Sequence, residues 1–162
     1  MFPADILHQA EQVLAAARAQ KLKIATAESC SGGLVAGALT EIAGSSDVME
    51  RGFVTYANAA KTEMIGVPAG LIAAHGAVSE EVARAMAEGV LAHAPVDLAV
   101  AVTGIAGPGG STPSKPVGLV HFACVRRGQA TVHDRHVFPG DRSAVRLAAV
   151  RVALALLLRG AA

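Results

Sequence analysis

The sequence predicts a three-layer α/β/α sandwich built on a mixed, mostly parallel sheet of about five or six strands. Three observations carry that reading. Helix-period and strand-like segments alternate through the first hundred residues. VDLAVAVTG, Val96 to Gly104, is a continuous apolar run bounded by Pro95 and a glycine, which suits a strand covered on both faces. VGLVHFACV and ATVHDRHVF, separated by Arg126 to Gln129 with one glycine inside, read as a hairpin that adds antiparallel pairing.

From the N-terminus, Asp5 to Gln20 places Ile6, Leu7, Ala10, Val13, Leu14 and Ala17 at helical spacing, and Lys21 to Ala27 follows as a strand. SGGLVAGALTEIAG then reads as a helix from Gly32, stopped at Gly44. Arg51 to Ala57 forms the next strand, and a polar bend at Asn58 leads into a short helical piece carrying Lys61. Ser79 is an N-cap, with Glu80 and Glu81 in the first turn of a helix running to Ala94. The glycines and prolines of IAGPGGSTPSKPVG exclude regular structure after the central strand. The last helix is capped by Asp141. Residues 1–162 contain no repeat and no linker, and read as one domain.

Composition narrows the function classes. Fourteen basic residues oppose thirteen acidic ones, and the aromatics are one tyrosine and four phenylalanines, which is a poor basis for a nucleic-acid surface. Mean hydropathy is +0.45, yet no apolar run approaches the ~18 residues of a membrane span. Cys30 and Cys124 stand far apart in a chain without a secretory leader pattern, so a disulfide framework is not expected and a cytoplasmic location is. The abundance of alanine suggests that a helix face is buried against another copy of the chain.

The chemistry-bearing residues concentrate at ATAESCSGG, where Ser29, Cys30 and Ser31 lie on a strand-to-helix turn close to backbone N–H groups able to hold an anion or oxyanion. Gly32 and Gly33 allow close backbone approach, and equally serve tight helix-to-sheet packing. The turn is not the G-x-S-x-G elbow of α/β-hydrolases. Of the six histidines only His75 lies in a loop-like segment, and none has the spacing of a metal site or of a Ser/His/Asp triad. The other candidate base is Lys61, flanked by uncharged residues as a lysine of lowered pKa would require. Thr103 ends the central strand, where α/β sheets bind ligands, and Gly104 opens the glycine-rich loop. Arg142, in the first turn of the last helix, carries a fork suited to a phosphate. The loop lacks the P-loop signature.

TAESCSGG, AGSS before RGFVTYANAAK, IGVP, HGAVSEEVARAMAEG, VTGIAGPGG, KPVG and FPGDR, in this order over nearly the whole chain, resemble the C-terminal domain family of CinA, the competence/damage-inducible protein, whose stand-alone members are nicotinamide-nucleotide amidases. The resemblance implies hydrolysis of the carboxamide of nicotinamide mononucleotide in pyridine nucleotide recycling, without metal or cofactor. It also implies a homodimer or higher homo-oligomer. Position by position, Ser29 matches the nucleophile and Lys61 the general base. Tyr56 and Asn58 match the polar residues near that lysine, Thr103 the site-lining hydroxyl, Arg142 the phosphate contact, and Ser31 a supporting hydroxyl. Gly32, Gly33 and Gly104 would supply oxyanion-binding amides. Ala59, where the family often has glutamate, and GGSTPSKP are departures that bear on substrate preference. The longer members carry an N-terminal domain with no expected counterpart here. The competing expectation is a catalytically silent nucleotide-binding module, in which Ser29 and Lys61 only hydrogen-bond a ligand phosphate.

Overall fold

The structure is a computed structural model that describes residues 1–162. Its elements are α1 (Ala4–Ala19), β1 (Ile24–Glu28), α2 (Leu34–Thr40), β2 (Met49–Val54), α3 (Asn58–Ile65), α4 (Ala69–His75), α5 (Glu80–His93), β3 (Leu98–Gly104), β4 (Leu119–Arg126), β5 (Val132–Val137) and α6 (Arg142–Ala161). One five-stranded sheet has the order β2-β1-β3-β4-β5. β2, β1 and β3 pair in parallel, while β4 runs against both β3 and β5. The mixed sheet between helical layers is the predicted architecture.

Period-two alternation along β3 divides the core. Leu98, Val100 and Val102 pack with α1, α2 and α6, whereas Ala99 and Ala101 face α5. On that second face the sheet presents Ala25, Ala27, Ala99, Ala101 and Ala123, small side chains that let α5 lie close. α5 itself is met by α3 at Gly89, where an added Cβ would fall 2.1 Å from the Ile65 carbonyl oxygen. This contact seats the helix that carries Lys61. No helix is long and apolar enough to cross a membrane.

The predicted caps are present: Ser79 Oγ accepts from the Val82 amide and the Asp141 side chain from the Ala144 amide. Several boundaries differ from expectation: β1 begins at Ile24 rather than Lys21, and β2 spans Met49–Val54 rather than Arg51 to Ala57. α2 begins at Leu34 rather than Gly32, because Gly32 and Gly33 occupy the left-handed region at φ +59° and +98° and make a turn. The chain leaves α2 at Thr40, and Ser45–Asp47 form a separate 3-10 turn after Gly44. His75 is the last residue of α4, a two-turn helix absent from the sequence reading, rather than a loop residue.

Candidate active site

The β1 ladder continues past its last residue, with the Ser29 amide donating to Val102 O at 2.9 Å, so Ser29 stands at the C-terminal edge of the sheet's centre. Beside it, the Thr55 amide donates to Glu28 O at 2.9 Å and carries the β2 extension past the same edge. α3 then turns back and directs Lys61 inward. Lys61 is 1% exposed, among the largest buried side chains of the protein.

Lys61 Nζ has three neighbours: Ser29 Oγ at 3.1 Å, Thr55 O at 2.8 Å and Tyr56 O at 3.3 Å. Burial holds its pKa below the ordinary lysine value, with an opposing influence from Cys30. A neutral amine has two N–H donors and one lone pair. The two carbonyls take the donors, and the lone pair is left for the Ser29 hydroxyl, which then donates. Geometry and desolvation thus set a buried amine of lowered pKa against one serine hydroxyl.

The other two candidate nucleophiles are disposed differently. Burial pushes the Cys30 thiol up to about 11, so it is protonated at neutral pH and lacks thiolate reactivity. Ser31 Oγ donates to Glu28 Oε1 at 2.7 Å, on the α2 side of the turn.

Around Ser29 and Lys61 lies a cavity of about 260 Å³ whose wall includes Cys30, Tyr56, Asn58, Thr103, Gly104 and Arg142. Thr103 Oγ1 donates to Ala77 O at 2.8 Å, tying β3 to the segment before α5. Arg142 donates to Gly107 O at 2.8 Å and to the Tyr56 hydroxyl at 3.1 Å, bridging the loop after β3 to the β2 side. In that loop Ala106, Gly107, Gly109 and Gly110 line the cavity, and their amides have no acceptor within the chain. The cavity wall thus combines a loop whose amides lack partners with the Arg142 guanidinium bonded to it, a setting for an anion. A larger groove of about 360 Å³ between β4, β5 and the end of α6 contains neither serine nor lysine. Ser29 and Lys61 both line the smaller one.

Ser31, Gly32 and Gly33, expected among the ligand contacts, are not part of the cavity wall. The left-handed glycine pair swings the chain toward α6, the Gly32 amide returns to Ser29 O at 3.0 Å, and Gly33 packs against Val54. His75 sits away from the cavity, 3.6 Å from Glu81. Two residues that the sequence reading left without a role hold the turn. Glu28 is 1% exposed and accepts from Ser31 Oγ, the Val35 amide and the Ala36 amide. Arg146 of α6 donates to Cys30 O and Ser31 O. A glutamate inside the otherwise uncharged ATAESCSGG was the available signal for the first; nothing local marked the second.

The model of the CinA C-terminal domain family matches residues 7–160. The chain is 48% identical over 157 residues to "Nicotinamide-nucleotide amidohydrolase PncC" of Escherichia coli strain K12, covering 97% of this chain and 95% of that protein. It is 55% identical over 139 residues to a "CinA-like protein" of Akkermansia muciniphila, covering 86% of this chain and 34% of that protein. The chain thus spans about a third of the length of this longer relative. The crystal structure of a competence/damage inducible protein from Agrobacterium tumefaciens superposes with a TM-score of 0.96 at 48% identity, over 99% of this chain and 98% of that one. The chain belongs to the CinA C-terminal domain family.

Proposed function

We propose that this member of the family hydrolyses the carboxamide of nicotinamide mononucleotide to nicotinate mononucleotide and ammonia, with Ser29 as nucleophile and Lys61 as general base. The observation that carries the reading is the buried Lys61 Nζ at 3.1 Å from Ser29 Oγ, with two main-chain carbonyls occupying the amine's donors. The printed activity of the E. coli relative supports the substrate.

Neutral Lys61 takes the Ser29 proton as Oγ attacks the amide carbon, and main-chain amides after Ser29 receive the developing oxyanion. Lys61 then gives that proton to the departing ammonia, leaving Ser29 acylated by the nicotinate group. Water, deprotonated by the again neutral Lys61, attacks the ester and releases the carboxylate as Ser29 Oγ is reprotonated. The 5′-phosphate lies at the cavity end formed by Arg142, the Tyr56 hydroxyl and the loop amides, so contacts remote from the amide position the reacting carbon. The product returns pyridine mononucleotide to acid form for reuse. A homodimer in the cytoplasm remains part of the reading.

Ammonia release from nicotinamide mononucleotide, compared between wild type and Ser29→Ala at matched circular dichroism, tests it. Turnover abolished by the substitution supports both activity and nucleophile. Equal activity in the two proteins removes Ser29 from the role, and a wild type that binds the mononucleotide without releasing ammonia favours the silent module.

A further inference from the structure

We propose that Lys115 is a positioning residue that ties the loop after β3 to the end of α4 and so fixes the cavity wall that receives the substrate's phosphate. The inference rests on the reading that this phosphate lies at the Arg142 end of the cavity. Residues 105–118, between β3 and β4, form neither helix nor strand. From Ala106 to Lys115 the loop makes two hydrogen bonds to other elements: Gly107 O accepts from Arg142 at 2.8 Å, and Lys115 Nζ donates to His75 O at 2.6 Å. Arg142 lines the cavity and Lys115 does not, so an effect of Lys115 on the substrate passes through the loop.

Both sides of this contact are prepared for it. His75 is the last residue of α4, where carbonyls lack helical partners and attract a cation. Gly76 follows at φ +77°, and an added Cβ there would fall 2.8 Å from Lys115 Nζ, so the glycine leaves the space that the ammonium fills. Lys115 is half-buried, and its backbone exchanges hydrogen bonds with Thr112 in a turn of the outer limb of the loop. Two contacts carry that position to the inner limb. Val117 packs on Gly107, where an added Cβ would lie 2.4 Å from Val117 Cγ1, and the Gly118 amide donates to Ile105 O at 2.8 Å. The inner limb is the part that lines the cavity, from Ile105 to Gly110. The anchor is itself fixed, since Ala77 O accepts from Thr103 Oγ1 and Gly76 O from Ser79 Oγ, each at 2.8 Å. Lys115 and Arg142 thus hold a glycine-rich loop from two elements, α4 and α6. Glycines left free would lose conformational entropy on closing around an anion, so ordering them beforehand is expressed as affinity.

The test measures kcat and KM of wild type, Lys115→Met and Lys115→Cys on nicotinamide mononucleotide and nicotinamide riboside, with the heteronuclear NOE of the loop amides as a readout independent of turnover. The expected result for Lys115→Met is a KM for the mononucleotide about tenfold higher, the order of one hydrogen bond made by a charged group, with kcat and the riboside nearly unaffected. The NOEs of Gly107, Gly109 and Gly110 fall in the same variant. S-aminoethylation of Lys115→Cys rebuilds an ammonium of nearly equal reach and restores KM, while Cys30 and Cys124 are buried and spared. An unchanged KM in folded Lys115→Met overturns the inference, as does a kcat loss at constant KM or a KM that aminoethylation does not restore. Should Lys115→Met fail to fold, Lys115→Cys before and after aminoethylation gives the same comparison. A KM rise equal on both substrates overturns the inference where Arg142→Ala separates them. Where Arg142→Ala does not separate them, or wild type releases no ammonia from the mononucleotide, the phosphate or substrate reading fails by itself. The NOEs then decide: lower values in Lys115→Met support the positioning role, and unchanged values overturn it.

Discussion

Lys61 Nζ lies 3.1 Å from Ser29 Oγ, and its other two contacts are the carbonyls of Thr55 and Tyr56 rather than a carboxyl group. Without an anionic partner, burial holds the Lys61 pKa below the ordinary lysine value, opposed only by Cys30, and so shifts the balance toward the neutral amine. The proposed activity of this pair and its stability cost have the same source.

Activity is expected to rise with pH through the depressed Lys61 value, since only the unprotonated amine can take the serine proton. Lys61→Met should lower kcat by about 10²- to 10⁴-fold and remove that limb from the pH profile of ammonia release. The sign for stability follows from the same shift. Between the depressed value and 10.5 the unfolded chain holds a proton that the folded one lacks, so wild-type stability rises with pH across that window. Urea unfolding of Lys61→Met over the same range should lack this slope.

Arg142 joins the loop after β3 to the Tyr56 hydroxyl at the anion-friendly end of the cavity. Arg142→Ala should raise KM for the mononucleotide by about 10- to 100-fold, the worth of a charge-assisted hydrogen bond, and leave nicotinamide riboside nearly unaffected. Steady-state kinetics on the two substrates decide the point; equal losses on both remove the phosphate role.

Glu28 satisfies four donors inside the protein, so Glu28→Ala leaves two α2 amides and the Ser31 and Thr26 hydroxyls without this partner. The expected loss is about 3 kcal/mol or more in chemical denaturation, from unpaired buried groups at ~1–3 kcal/mol each. Because the same carboxyl holds the turn behind Ser29, kcat should fall as well.

His121 lies 2.9 Å from His133 across β4 and β5, and burial lowers its pKa to about 4, helped by His133, Arg135 and Lys115 and opposed by Glu80. The unfolded histidine binds its proton near 6.5, so stability is lost as pH falls from about 6.5 to about 4 and this contribution is flat below. His121→Gln should show a shallower acid slope by circular dichroism than wild type.

Elements of strong local signal were legible before any coordinates. The caps at Ser79 and Asp141 satisfy helix amides within three residues, and the apolar run of β3 needs no partner's identity to declare itself buried on both faces. Ordered family motifs nominated Ser29 and Lys61, 32 residues apart. α4 escaped notice because seven residues, AGLIAAH, are too short for helical periodicity to rise above the surrounding turns.

What the sequence by itself determined was the set of elements and the residue types able to do the chemistry, because caps, periodicity and turn glycines act within a few positions along the chain. Which way each side chain faces was decided only by the tertiary structure. The strand order β2-β1-β3 brings the Thr55 and Tyr56 carbonyls and Lys61 to the edge beyond β1. The left-handed turn at Gly32 and Gly33 carries Ser31 to Glu28 and leaves Ser29 and Cys30 on the cavity wall. α6, from more than a hundred residues along the chain, supplies the Arg146 grip. These contacts depend on helices docking onto a completed sheet, an outcome of packing over the whole chain that no local window of sequence contains.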